Sequence, residues 1–202
     1  LVLMAVGRRP LVDGWGAKEA GLEAGPRGVL VDDTMRTNLP NVWAVGDVTG
    51  RSLLAHAAYR MGEIAAAHII DPAGAKRAGQ VLRVDTIPWA VYSMPEAAGV
   101  GLTEAQAKAR GHQVVTATVP LAVSGRAVAE QGVRGPGAVK LIAEAATRAI
   151  LGIHMLGNYA PETIWGAAAV LETELSVDDL RQVVFPHPTV SEAIREAAWA
   201  IH

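Results

Sequence analysis

The stretch Gly137–Gly157, GAVKLIAEAATRAILGIHMLG, limits the fold of this chain more than any other. Two apolar runs rich in aliphatic residues flank a more polar turn near Ala145–Arg148, which is the pattern of a β-hairpin. Helical patterns follow at once. APETIWGAAAVLETEL reads as one helix and SVDDLRQVV as a shorter one. A last helix carries Val190, Ala193, Ile194, Ala197, Ala198 and Ile201 on one stripe. Before the hairpin, TIPWAVYSMPEAAGVG reads as a strand interrupted by proline and then a turn. TEAQAKARG is a helix capped by Thr103 and stopped at Gly111, and HQVVTATVPL alternates as a strand does. Strand, helix, strand, hairpin and helices in this order make an α+β domain on an antiparallel sheet.

The earlier residues have another rhythm. Residues 1–6, LVLMAV, read as a buried strand that ends in a turn at Gly7. A strand of that kind needs neighbours on both sides, so the chain is expected to be a piece of a longer protein, cut inside a domain. A Gly-rich loop follows, then a short strand at Val29–Val31. NVWAVGD reads as a buried strand closing on Gly46-Asp47. From Leu53 to Ile70 small and apolar residues recur at helical spacing, and DPAGAKRAG then breaks the pattern. The expected partition is therefore 1–12, 13–80 and 81–202.

Hydrophobic residues make up 50% of the chain but aromatics only 4%, so the core must be built from Ala, Val, Leu and Ile. No apolar run reaches the roughly 18–20 residues that cross a bilayer, and a cytoplasmic location is expected. Net charge is −2 with no basic block, which argues against a nucleic-acid surface. Cysteine is absent. Disulfides, thiolate metal sites and a thiol nucleophile are thus excluded within these residues.

Chemistry concentrates near the end, in FPHPTVSEAIREAA. Thr189-x-x-Glu192 has the spacing of a capping box, which would leave His187 a loop residue. Alternatively, Glu192 in the first helical turn folds back on the His187 imidazole. A carboxylate on one ring nitrogen fixes the tautomer and leaves the other nitrogen to exchange a proton. Pro188 restricts the backbone between them and admits a cis bond. On the residues alone both readings stand. Earlier, Gly46 and Asp47 put a carboxylate at the end of an apolar run, where ligands collect in α/β sheets, and Gly46 permits close approach of a ligand. Leu53, Leu54, Ala55 and His56 open a helix, whose first N–H groups favour negative charge. Plain readings exist here too: a turn at Gly7 and at Gly46-Asp47, and a helix start at His56.

HPTVSEAIREA resembles the His-Pro-Thr-x-Ser-Glu signature of the flavin-dependent pyridine nucleotide–disulfide oxidoreductases. TNLPNVWAVGDVTG is similar to that family's second FAD signature, and LVLMAVGRRP to the last strand of its NAD domain. YSMPEAAGVGLTEAQA and ILGIHMLGNYAPETI resemble two segments of its interface domain. The resemblance covers essentially the whole chain, in the right order. It implies FAD held by Gly46, Asp47 and the Leu53–His56 backbone, NAD near Gly7, and His187 as acid–base partner of a redox dithiol with Glu192 orienting it. Pro188 would lie beside the flavin of the other subunit of a homodimer, because His187 acts across the interface. The family's Gly-x-Gly-x-x-Gly loop and Cys-x-x-x-x-Cys pair are not among these residues.

Leu53–His56 leans towards the dihydrolipoamide dehydrogenases, whose partner is a lipoyl-bearing protein or a small dithiol. Phe185-Pro186 and Pro161 depart from the usual pattern. Alternatives are a glutathione- or mercuric-reductase-like member, or a dimerisation module without catalysis. NAD against NADP stays open. His154 and Glu162 are expected to be structural, and Trp89, Trp165 and Trp199 to lie in the core or on a dimer surface.

Overall fold

In the computed structural model, which describes residues 1–202, the hairpin is the centre of the sheet. Its strands are β6 (Ala138–Glu144) and β7 (Ile150–Leu156), antiparallel, with Lys140 opposite His154. The turn lies where the sequence puts it, and Arg148 takes a left-handed conformation (φ 58°) to close it. Around the hairpin stand β3 (Trp89–Val91), β4 (Ala97–Gly101) and β5 (Val114–Pro120), in the order β3-β4-β7-β6-β5 with every pair antiparallel.

Alternation sorts the side chains into two layers. On one face Val139, Leu141 and Ala143 of β6 and Ile153 and Met155 of β7 meet the helices in a single apolar cluster. Helix α5 (Ala160–Glu172) packs on β3, β4 and β7, presenting Ala160, Ile164, Ala167 and Leu171. Pro161 stands in its first turn, where its missing N–H costs nothing. Helix α6 (Val177–Gln182) starts in a Ser176–Asp179 capping box and packs on α7 (Glu192–Trp199), which lies on β5 and β6 through alanines. On the opposite face α3 (Glu104–Ala109), capped by Thr103 as expected, buries Ala107 against Leu102 and Ile142. The buried hydrophobic residues are Ala, Val, Leu, Ile and Met, as composition requires. Trp89, Trp165 and Trp199 are all exposed, so none belongs to the core.

In this sheet domain one helix has no counterpart in the sequence reading. Helix α4 (Gly125–Gln131) is capped by the Ser124 hydroxyl, which accepts the Ala127 N–H.

Residues 85–202, just described, form one compact unit and residues 1–84 another. In the first, β1 (Ala24–Gly25) and β2 (Gly28–Val29) make a two-residue ladder, and α1 (Ala55–Ile70) is the expected long helix. Three expectations fail. Residues 1–6 form no strand and are exposed, because no strand of this chain pairs with them and an unpaired apolar run has nothing to make it extended. The strand expected in NVWAVGD is reduced to a bridge between Trp43 and Arg36, followed by a 3-10 turn at Gly46–Thr49. DPAGAKRAG does not simply break the helix. Asp71 accepts the Gly74 N–H and starts α2 (Pro72–Arg77).

Two glycines predict opposite signs. Gly101 has φ 79°, and a Cβ there would overlap the Leu151 carbonyl oxygen and the Leu171 side chain, so Gly101→Ala lowers the urea midpoint. Gly62, inside α1, has open space around it, so Gly62→Ala raises stability by about 0.5–1 kcal/mol. Equal effects of the two substitutions in urea denaturation would contradict this packing.

A charge network supplies a pH test. Lys108 and Lys140 reach the Glu104 carboxylate at 2.5 and 2.6 Å and pull its pKa from the ordinary 4.5 down to about 2. A depressed folded-state value stabilises fully above 4.5, and that contribution is lost as pH falls through about 2. In Lys140→Met the Glu104 titration, followed by carboxyl NMR, moves upward, and the acid-side loss of stability still begins near 4.5 but is smaller and complete at a higher pH.

Candidate active site

The loop before α7 has little packing to hold it, yet hydrogen bonds fix it closely. Pro188 follows a cis peptide bond. The Thr189 hydroxyl donates to the Pro186 carbonyl at 2.7 Å and lies 2.8 Å from the Ser191 hydroxyl. The Thr189 N–H donates to Glu192 Oε2 at 2.8 Å, and Glu192 Oε1 lies 2.8 Å from His187 Nδ1. One carboxylate therefore closes half of a capping box and holds the imidazole as well. The other half of the box is absent: the Thr189 hydroxyl turns back to Pro186 instead of accepting a helical N–H, and Ser191 is the residue at the cap.

The electrostatics follow from these partners. The Thr189 N–H, and after it the His187 ring, hold the Glu192 carboxyl below the ordinary glutamate range. Arg195 adds a smaller attraction. An ionised carboxylate only accepts hydrogen bonds, so neutral His187 carries its proton on Nδ1 and offers the Nε2 lone pair outward. The Glu192 side chain is 19% exposed and that of His187 is 76% exposed. The ring thus stands at the surface, oriented from behind, and can take up or release a proton at Nε2. Beside the loop lies an apolar groove of about 530 Å³ lined by Tyr159, Trp165, Val184, Phe185, Pro188 and Ile194, among others.

In the first unit the structure brings Gly46 and Asp47 against the start of α1. Gly46 has φ 75°, its N–H points at Met61 Sδ at 3.2 Å, and an added Cβ would touch Ala58 at 3.4 Å. Asp47 is exposed in the 3-10 turn. Leu54 is the extended N-cap of α1 and makes no side-chain cap, so the positive end of this helix begins at Ala55 without a capping side chain from Leu54. A carboxylate for hydroxyls and a helix start for an electron-rich ring edge, a few residues apart, are a donor set that fits FAD. Gly7 is exposed in the coil of residues 1–12, and the neighbouring Arg8 guanidinium donates to the Leu53 carbonyl.

His154 behaves as a structural residue. Its Nε2 donates to the Leu102 carbonyl at 3.1 Å and its ring lies 6.2 Å from that of Trp89. Glu162 sits in the first turn of α5. The sequence reading missed Ser124, which is buried and donates to the Thr189 carbonyl at 2.8 Å. A Ser before Gly-Arg-Ala is a possible cap by pattern, but its distant partner has no local signature.

Residues 87–198 match the pyridine nucleotide-disulphide oxidoreductase dimerisation domain, and residues 1–62 match a second domain described as pyridine nucleotide-disulphide oxidoreductase. The chain is 41% identical over 202 residues to dihydrolipoyl dehydrogenase of Thermus scotoductus, covering 100% of this chain and 42% of the relative. It is 38% identical to dihydrolipoyl dehydrogenase of Cupriavidus necator, over 99% of this chain and 41% of that one. Among solved structures, LpdA from Mycobacterium tuberculosis superposes with a TM-score of 0.82 at 29% identity, over 98% of this chain and 42% of that chain. The HOCl-induced flavoprotein disulfide reductase RclA from Escherichia coli superposes with 0.79 at 26% identity, over 98% and 44%. The chain spans about two-fifths of the length of the curated relatives it matches. By its dimerisation domain and by these relatives, the chain belongs to the pyridine nucleotide-disulphide oxidoreductase family.

Proposed function

We propose that this chain is part of an FAD-dependent dithiol/disulfide oxidoreductase that oxidises a dihydrolipoyl group with NAD⁺, as the names of its relatives indicate for them. The observation that carries the reading is the His187–Glu192 pair: an exposed imidazole whose Nδ1 is held by an ionised carboxylate and whose Nε2 faces outward. His187 Nε2 takes the proton from one thiol of the substrate. The resulting thiolate attacks an enzyme disulfide, and one enzyme sulfur leaves as a thiolate. The second substrate thiol then closes the substrate disulfide and releases the enzyme dithiol. Glu192 keeps the ring in the tautomer that can accept at Nε2 and stabilises the imidazolium once formed.

The chain contains no cysteine, so the enzyme disulfide must come from residues outside this sequence. By itself the chain is expected not to turn over. Gly46, Asp47 and the Leu53–His56 backbone would hold FAD, and Gly7 would lie towards NAD. FAD, when bound, would supply the two-electron relay between the dithiol and NAD⁺. The dimerisation domain supports a homodimer in which each His187 serves the sulfur centre of the other subunit, with a lipoyl-bearing protein or a small dithiol as substrate. The apolar groove with exposed Trp165 and Val184 is a face of the kind a second copy covers. The same face would equally suit a dimerisation module without catalysis.

The test is dihydrolipoamide-dependent NAD⁺ reduction by the full-length protein. His187→Gln lowers kcat about 10²–10⁴-fold, the usual worth of a general base. Glu192→Gln, which keeps an acceptor but loses its charge, lowers kcat less. Unchanged turnover in His187→Gln would remove the acid–base role and leave residues 85–202 as a dimerisation domain that contributes no catalytic group.

A further inference from the structure

The loop that carries His187 is tied to the domain by one buried side chain far away in sequence. Ser124 is only 2% exposed. Its hydroxyl uses both of its capacities: it accepts the Ala127 N–H at 3.3 Å as the cap of α4 and donates to the Thr189 carbonyl at 2.8 Å, 65 residues on. A cap alone needs only an acceptor, so the donated bond is extra to that role.

Thr189 is where the loop's bonds converge. Its N–H holds Glu192 Oε2, its hydroxyl holds the Pro186 carbonyl, and its own carbonyl is held by Ser124. If the Thr189 backbone shifts, Glu192 loses its anchor and can pivot away from His187 Nδ1. The His187 side chain is too exposed for packing to restore it. We propose that Ser124 is a positioning residue for the acid–base pair: through the Thr189 carbonyl it fixes the backbone that aims the Glu192 carboxylate at His187 Nδ1. This rests on the acid–base reading of His187 for its functional meaning, but not for its structural content.

The groups facing Glu192 are the Thr189 N–H, His187 and Arg195. Of these the Thr189 N–H does most to keep the carboxyl low, and it is the one that Ser124 secures.

The experiment uses nitrogen NMR of the imidazole in the 202-residue chain, which reports the nitrogen that carries the proton in neutral His187. The unaltered chain is expected to show Nδ1–H. In Ser124→Gly, a substitution that helix caps tolerate well, the population shifts to a mixture dominated by Nε2–H, and the Glu192 titration moves up towards the ordinary range. Ser124→Thr, which keeps the hydroxyl, restores Nδ1–H. In the full-length protein Ser124→Gly lowers kcat about tenfold with little change in KM, as expected for a misaimed base. Nδ1–H retained in a folded Ser124→Gly chain would overturn the proposal and leave Ser124 as a cap. Should Ser124→Gly fail to fold, Ser124→Ala, which also removes the hydroxyl, gives the same readout. The two failures are separable. A retained tautomer sinks the positioning role whatever the kinetics, whereas unchanged turnover in His187→Gln sinks the acid–base reading whatever Ser124 does.

Discussion

A single carboxylate with two oxygens in two different bonds organises the candidate site of this chain. Glu192 Oε2 is spent on the Thr189 N–H and Oε1 on His187 Nδ1. The first bond is part of how the helix begins, and the second aims an imidazole that nothing else holds. Charge-assisted bonds of this kind are about twice as strong as neutral ones, and here neither can be lost without loosening the other. A glutamine in this position has one accepting oxygen where the glutamate has two: with that oxygen on the backbone N–H, its NH2 faces the ring and favours the opposite tautomer. The helix start and the imidazole–carboxylate pair read as rivals in sequence and coincide in structure because one carboxylate serves both.

The readable part of the fold is the part that closes locally. The β6–β7 hairpin pairs residues separated by a short turn, and α3, α5, α6 and α7 each carry a cap or a stripe in their own sequence. Their types and rough limits could be read before any coordinates. Residues 1–6 and 41–47 failed for the opposite reason. Their apolar composition asks for strand neighbours, and within this chain only the Arg36–Trp43 bridge answers. Composition reports that a segment wants burial, but not whether a partner is present to bury it. Helix α4 failed differently. It has seven residues and one buried alanine, too little periodicity for a pattern to show.

The candidate site divides along the same line. His187, Thr189 and Glu192 fall within six residues, and the short loop into the first turn of α7 brings the carboxylate back to the ring. Gly46, Asp47 and the Leu53–His56 segment are likewise close in sequence, and the turn and helix start they form could be expected from their order. Ser124 could not be found this way, because its contribution is a bond across 65 residues whose other end is a backbone carbonyl. A carbonyl has no residue identity, so no pattern of side chains in the sequence marks it.

The exposed imidazole owes its fixed position to small residues beneath it. Ala193, Ala197 and Ala198 are fully buried on the face of α7 that meets β5 and β6. Alanine has no rotamers to lose and lets the helix lie close on the sheet. Val190 and Ile201 close the two ends of this contact, and Ser124 ties the loop just before it. The helix that begins at Glu192 is therefore seated directly on the sheet, although His187 itself is in solvent. A poor aromatic content, which at first only describes the core, has a consequence at the site. An aliphatic, alanine-rich helix face allows the close seating that a surface proton carrier needs if it is to act on a group lying outside its own unit.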